Sequence, residues 1–89
     1  MMKPIKRKTF LNNELWELPN GYLHREDGPA IKNLYGDKIY YYNNKLHRED
    51  GPAVEYHDGD KEWWLHNNQY SEQEYKKIQR NKKINQILK

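Results

Sequence analysis

Short apolar stretches alternate with polar turns along most of this chain, and the pattern predicts short β-strands. Residues 30–34 and 38–42 flank one turn that contains Gly, and residues 53–56 and 61–65 flank another. Two short strands on either side of such a turn are typical of a β-hairpin. The pattern therefore predicts two consecutive hairpins.

The octapeptide LHREDGPA occurs twice without change, at residues 23–30 and 46–53, an offset of 23 residues. Eight identical positions at one spacing indicate an internal repeat. Gly28 and Gly51 are expected to tolerate a positive φ, and the Pro that follows each of them removes a backbone donor. The two copies should therefore separate one hairpin from the next.

The alignment of the two copies extends into the asparagine pairs that follow each hairpin. Asn43 and Asn44 fall on Asn67 and Asn68 if one residue is inserted near His66. Each repeating unit is therefore expected to be one supersecondary element, which its asparagine pair follows.

The beginning of the chain resembles a degenerate first unit. Residues 5–11 and 14–18 bracket Asn12 and Asn13, which predicts a hairpin with a tight turn at the two asparagines. Trp16 is expected at roughly the place of Ile39 and Glu62, beside the aromatic positions of the later units. Terminal repeats are commonly atypical because one face has no neighbour.

The second strand of each hairpin is aromatic. Strand alternation predicts that Tyr41 and Trp64 share one face, and the other face is expected to carry Tyr40, Tyr42, Trp63 and Leu65. Aromatic side chains each expose about 150 to 250 Å², which is costly in water. We expect them to be covered by a final helix, by a second copy or by a ligand.

Ser71 and Glu74 form a capping box, which predicts a C-terminal helix from residue 71 onward. Its apolar residues lie on two sides, so the helix is expected to end or bend near Asn81, or to pack its second half on a partner. The second set makes a candidate protein-binding patch of Ile84, Ile87 and Leu88.

The side chains of HRED could suggest acid–base catalysis or a metal site. The set is duplicated, however, whereas an active site is ordinarily built once. We therefore expect Arg25 and Arg48 to pair with neighbouring carboxylates, and His24 and His47 to bond to backbone carbonyls. No catalytic residue, metal ligand or cofactor is predicted, and an enzyme is the function with the least support.

Length and composition indicate one small domain. The hairpins and the final helix predict an α+β fold that is mainly β. Consecutive antiparallel hairpins should form a meandering sheet capped by the helix, with boundaries at 1–22, 23–45, 46–70 and 71–89. The hydrophobic fraction is 35%, and the chain has no Cys and therefore no disulfide. No apolar run approaches the roughly 20 residues of a membrane span, so we expect a cytoplasmic protein.

Charge is segregated along the chain. Residues 1–8 and 75–89 carry ten basic residues and no acidic one, whereas residues 9–74 carry six basic and thirteen acidic residues, a net charge of −7. The basic ends are either solvated tails or contacts for nucleic acid or for an acidic protein surface. The acidic middle could meet a basic groove on a protein, with candidate contacts at Glu55, Asp58, Asp60 and Glu62.

Residues 20–30 and 43–53, each a turn followed by LHREDGPA, resemble the variant MORN-type repeats of bacteriophages, giant viruses and bacteria. The resemblance covers roughly residues 14–75. It implies a hairpin scaffold for binding without shared catalytic residues. The leading expectation is a phage or mobile-element protein that docks on a host protein, such as a defence component that handles nucleic acid, and inhibits it by occlusion.

Two alternatives remain. The first is a nucleotide or nucleic-acid binder, using the basic ends or a ligand site formed by Tyr41, Trp64, Arg25 and Arg48. The second is a structural repeat that assembles with itself, for example as a homodimer.

Overall fold

The computed structural model describes residues 3–9 and 12–88, with side chains as far as residue 83. The elements are β1 (Ile5–Lys8), β2 (Glu14–Glu17), β3 (Ile31–Lys32), β4 (Lys38–Ile39), β5 (Tyr41–Tyr42), β6 (Lys45–Leu46), β7 (Val54–Glu55), β8 (Lys61–Leu65), β9 (Asn68–Tyr70) and α1 (Glu72–Leu88). Seven strands form an antiparallel sheet in the order β1-β2-β3-β4-β7-β8-β9, and β5 pairs with β6. The prediction of a mainly β meander of hairpins with a C-terminal helix is confirmed.

The predicted strand at residues 38–42 divides at Tyr40. Its backbone N–H donates to the Ala53 carbonyl at 2.7 Å, and its carbonyl accepts from the His47 N–H at 3.2 Å. Residues before Tyr40 pair within the large sheet, and residues after it pair with β6. Both predicted second strands therefore pair with two partners. Residues 38–42 do so as two short strands, whereas β8 is one continuous strand.

The first hairpin has a wider turn than the sequence predicts. The Thr9 N–H donates to the Asn13 carbonyl at 2.9 Å, and the Asn12 N–H donates to the Thr9 carbonyl at 3.0 Å. Among the described residues of this turn, only Asn12 has a positive φ, of 63°. The expected two-residue turn is therefore wrong. Phe10 and Leu11, within the predicted first strand, lie outside the described residues.

Each repeat has a second turn at or beside its asparagine pair, which we did not predict, and the two turns align without an inserted residue. Asn43 and Asn44 have φ values of 49° and 65°, and His66 and Asn67 have φ values of 48° and 68°. Positive φ at both central residues is the requirement of a type I′ hairpin turn. His66 therefore replaces the first asparagine in the second turn, and Asn68 begins β9 instead of ending the turn.

The core is small. An apolar row crosses four neighbouring strands through Leu15, Ile31, Ile39 and Val54. The buried apolar residues are Ala30, Ala53, Val54, Leu65 and Tyr75. Methyl-sized Ala30 and Ala53 end the two copies of LHREDGPA, so each copy anchors its loop in the core through a side chain too small to displace its neighbours.

The helix α1 packs on β8 and β9 and begins as predicted. The Ser71 N–H donates to Glu74 Oε1 at 3.1 Å, and the Glu74 N–H donates to Ser71 Oγ at 3.1 Å. The helix continues through Asn81 to Leu88, so the expected end at Asn81 is wrong. The side chains of Ile84, Ile87 and Leu88 lie outside the described residues, and their binding role stays a prediction. Within the described part of the chain, no helix is long and apolar enough to cross a lipid bilayer.

Candidate functional site

Each copy of LHREDGPA folds its arginine over an aromatic ring. The Arg25 Cζ lies 4.3 Å from the centre of the Trp16 ring, and the Arg48 Cζ lies 4.0 Å from the centre of the Tyr40 ring. A guanidinium held over a ring gains a cation–π attraction. The matching contacts also show that Trp16 corresponds to Tyr40, one position beyond the Ile39 that the sequence suggested.

The same arginines close the loop that carries them. Arg25 Nε donates to Asp27 Oδ1 at 2.9 Å, and its Nη1 donates to the Pro29 carbonyl at 3.2 Å. In the second copy the corresponding bonds, from Arg48 to Asp50 and Pro52, measure 3.0 and 3.1 Å. The predicted pairing of arginine with a neighbouring carboxylate is therefore present in both loops. Both guanidiniums hold the fold together.

Gly28 and Gly51 are not in the positive-φ region, contrary to the expectation from sequence. A Cβ on Gly28 would lie 2.8 Å from the Arg25 Cζ, and one on Gly51 would lie 2.9 Å from the Arg48 Cζ. Real Cβ contacts are essentially never so short, so the guanidinium would have to move. Glycine at these positions therefore allows the close approach of the arginine.

The two loop histidines accept backbone hydrogen bonds, where the sequence suggested that they donate to carbonyls. The Asn43 N–H donates to His24 Nδ1 at 2.9 Å, and the His66 N–H donates to His47 Nδ1 at 3.0 Å. An accepting Nδ1 places the proton of the neutral ring on Nε2. Each histidine therefore fixes the type I′ turn of the next unit and is used structurally.

A second contact joins each loop to the same turn. The Leu23 N–H donates to Asn44 Oδ1 at 3.3 Å, and the Leu46 N–H donates to Asn67 Oδ1 at 2.9 Å. In return, the backbone N–H of each asparagine donates to the carbonyl of that leucine, at 2.8 and 2.9 Å. Asn44 and Asn67, the second residue of each turn, therefore join successive units by hydrogen bonds.

The third aromatic position, Trp63, is half-buried and packs against the helix. The Tyr75 ring lies 4.9 Å from the Trp63 ring, and Lys76 Nζ lies 6.0 Å from its centre. The Tyr75 hydroxyl donates to the Arg48 carbonyl, and the Gly51 N–H donates to the Tyr75 hydroxyl at 3.3 Å. α1 thus takes the place that an arginine loop has over Trp16 and Tyr40, as the sequence led us to expect of the final helix.

A groove of about 710 Å³ lies between the two loops. Four carboxylates and two guanidiniums line it, which leaves two negative charges when the histidines are neutral. Its lining residues are Arg25, Glu26, Asp27, Gly28, Tyr40, Tyr42, His47, Arg48, Glu49, Asp50 and His66. The centres of the His47 and His66 rings lie 4.2 Å apart in this wall, with the ring planes tilted by 35°.

The structure only partly assembles the predicted ligand site. Arg25 and Arg48 share the groove, but the aromatic side chains beside them are Tyr40 and Tyr42. Tyr41 and Trp64 are not in its lining. Strand alternation turns Tyr41 away from Tyr40 and Tyr42, and no residue of β8, which carries Trp64, lines the groove. Tyr41 and Trp64 therefore do not form one site with the two arginines.

The four predicted acidic contacts fall into two pairs. Glu55 accepts from Arg48 Nη1 at 2.6 Å, and Glu62 accepts from the Tyr56 hydroxyl at 2.8 Å and from Trp64 Nε1 at 2.9 Å. These two carboxylates are occupied within the fold. The other two, Asp58 and Asp60, are exposed at the turn between β7 and β8, where a partner can reach them.

The turn between β3 and β4 presents two large apolar side chains to solvent, a feature that we did not predict. Leu34 is 67% exposed and Tyr35 is 73% exposed. Asn33 Oδ1 accepts from the N–H groups of Tyr35 and Asp37, both at 3.0 Å, and Asn33 Nδ2 donates to Asp37 Oδ2 at 2.8 Å. The only signal in the sequence was an apolar pair directly before Gly36.

Asp37 ties this turn to the next one. Its Oδ1 accepts from the His57 N–H at 2.7 Å and from His57 Nδ1 at 2.8 Å. The Asn33 side chain and then the His57 backbone lower the pKa of Asp37 to about 2, and the bond to Asp37 raises the pKa of His57. The two turns are held together over the whole neutral range.

Within the described residues, no group of three His, Asp or Glu side chains is arranged to hold a metal ion. Comparison with known proteins identifies no relative, since no family model, no curated protein and no solved structure matches the chain.

Proposed function

We propose that this chain is a protein-binding module that docks through its two linked turns. We call this surface the turn-tip surface and define it by Leu34, Tyr35, Tyr56, His57, Asp58 and Asp60. The exposure of Leu34 and Tyr35 at the end of a hydrogen-bonded turn carries the proposal. Adjacent side chains of this size are costly to leave in water, and such patches commonly mark interaction sites.

Rigidity strengthens this proposal. The Asn33 side chain accepts the Asp37 N–H and holds the backbone of the turn, and the Asp37 carboxylate accepts the His57 N–H and fixes the neighbouring turn. A surface that is ordered before binding loses less conformational entropy in the complex. Tyrosine is also among the residues that contribute most binding energy at interfaces.

The chemistry of the turn-tip surface indicates the kind of partner. Leu34 and Tyr35 would enter an apolar pocket, while the exposed Asp58 and Asp60 would face basic residues at its rim. Basic surfaces of this kind occur on proteins that handle nucleic acid. The resemblance of the repeats to those of phages favours a host protein as the partner. The bound chain would inhibit this protein by covering its surface.

The test is affinity capture with a matched set of baits from lysate of the natural host, in nuclease and moderate salt. The binding variant is L34S/Y35S. The control is Y22S, because Tyr22 is also exposed, at 47%, but lies in a different turn that begins after Leu18. The proposal predicts a stoichiometric protein that wild type and Y22S retain and that L34S/Y35S loses.

Reversing the charges gives a second arm of the test. D58K/D60K should weaken capture more at low salt than at high salt, because screening reduces the attraction that these carboxylates supply. A partner captured equally by wild type and L34S/Y35S would overturn the turn-tip surface as the docking site. A partner lost with nuclease alone would overturn the assignment to protein.

A further inference from the structure

The cleft between α1 and the second copy of LHREDGPA has the chemistry of a nucleotide-sized site. It encloses about 390 Å³ and lies away from the turn-tip surface. Its lining residues are Glu49, Asp50, Gly51, Trp63, Tyr75, Lys76, Gln79, Arg80 and Lys83. We propose that this cleft binds single-stranded nucleic acid, with one base over Trp63 and the adjoining phosphates on the helix.

The helix supplies a cationic wall. Lys76, Arg80 and Lys83 fall within an arc of about 60° and span about 10 Å along the axis of a regular helix. Lys76 pairs with Glu72 at 2.8 Å, whereas neither Arg80 nor Lys83 has an ion-pair partner among the described side chains. Two cations are therefore available to phosphate groups on this wall.

The floor and the opposite wall suit a base. The half-buried Trp63 ring forms the floor and packs on the buried Tyr75, and aromatic side chains stack bases with little regard to sequence. Glu49 and Asp50 lie across from the helix, and carboxylates accept hydrogen bonds from the exocyclic amino groups of bases. These carboxylates would repel a phosphate placed on their own side, so the cleft favours one orientation of the strand.

The helix is held in the position that this site needs. Gln79 Nε2 donates to the Glu49 carbonyl at 3.0 Å, and Lys82 Nζ lies 3.6 Å from Glu49 Oε1. Together with the bond from the Tyr75 hydroxyl to Arg48, these contacts fix the width of the cleft. The cationic wall and the aromatic floor are thus arranged before any ligand arrives.

The test is fluorescence anisotropy with a labelled single strand of about 12 nucleotides, a length within the range of single-strand binding sites. R80E/K83E should bind about tenfold more weakly than wild type at about 50 mM salt, and its salt dependence should be shallower by about 0.7 per lost phosphate contact. The matched control is K3E/K45E, which changes the net charge by the same amount at exposed lysines outside the cleft.

Two further measurements separate base stacking from charge alone. W63F keeps an aromatic packing partner for Tyr75 but offers less surface, so it should bind about threefold more weakly. A duplex of the same length should bind more weakly than the single strand, because its bases cannot enter the cleft. Circular dichroism of each variant confirms that the fold is retained.

Three results would overturn the proposal: no binding by wild type at low salt, equal weakening in R80E/K83E and K3E/K45E, or equal affinity for the duplex and the single strand. None of these results bears on the turn-tip surface, because Leu34 and Tyr35 are unchanged in every variant.

Discussion

The two copies of LHREDGPA make the same internal contacts but have different neighbours. Arg48 has an additional ion pair with Glu55 at 2.6 Å, whereas Lys32 follows Arg25 at the corresponding position. The second copy also bonds to Tyr75 of α1. The comparison shows that an identical sequence can determine the local structure of a loop while its neighbours determine how strongly the loop is held.

The largest difference between the copies is expected on removing the arginines. R48A leaves Glu55 without its cation and the Pro52 carbonyl without a donor, so it should cost about 3 kcal/mol of unfolding free energy. R25A loses the stack on Trp16 and the bond to Pro29, which should cost about 1.5 kcal/mol. Urea denaturation followed by circular dichroism measures both values. Equal losses would mean that the additional contacts of the second copy contribute nothing.

Adding a methyl group at the loop glycines tests the close approach of the arginines. G28A and G51A should each lower the unfolding free energy by about 1 to 2 kcal/mol, because the added Cβ displaces the guanidinium. The control is a double-mutant cycle, in which G28A is repeated in the R25A background. There the cost of G28A should nearly vanish. An unchanged cost would point to the backbone instead of the guanidinium.

Acid should weaken the second loop through His47. Burial, followed by the neighbouring His66, lowers the pKa of His47, so the unfolded chain binds a proton more readily than the folded chain. The unfolding free energy contributed by this group is therefore complete above about pH 6.5, the value for a free histidine, and declines as the pH falls below it.

The urea midpoint measured between pH 7 and pH 5 tests this decline. H47N is the matched variant, because the asparagine Oδ1 can accept the His66 N–H without titrating. H47N should show a smaller decline than wild type over the same range. The same decline in both proteins would assign the pH dependence to other groups.

The smallest expected effect comes from giving the first copy the carboxylate of the second. K32E places a glutamate seven residues after Arg25, as Glu55 stands after Arg48. The new ion pair should raise the unfolding free energy by only about 0.5 kcal/mol. The gain is small because the pair is partly exposed and because the attraction between Lys32 and Glu14 is lost. K32Q is the control that removes the lysine without adding a partner. A K32E protein no more stable than K32Q would show that the geometry around Glu55 is not reproduced.

Much of the fold could be predicted because its signals are local. The turns at Gly36 and Gly59, both with φ near 95°, follow from the freedom of glycine. The Ser71 and Glu74 capping box likewise follows from its spacing. The duplication of HRED correctly indicated an arginine network repeated in both loops.

The remaining features depend on contacts between units that are distant in sequence. The break at Tyr40 arises because its N–H bonds to Ala53 and its carbonyl bonds to His47, so the chain changes partner at this residue. Likewise, the start of the second turn at His66 depends on the bond from its N–H to His47, nineteen residues earlier. The turn-tip surface depends on a bond between Asp37 and His57, twenty residues apart, which no spacing rule identifies.

The docking role of the turn-tip surface is tested most directly by amide hydrogen exchange of the chain, alone and bound to its captured partner. The account predicts that binding slows exchange in residues 33–37 and 56–60 and leaves the two arginine loops, at residues 24–29 and 47–52, unchanged. Slowed exchange confined to those loops would place the partner in the groove between them and contradict the proposed docking surface.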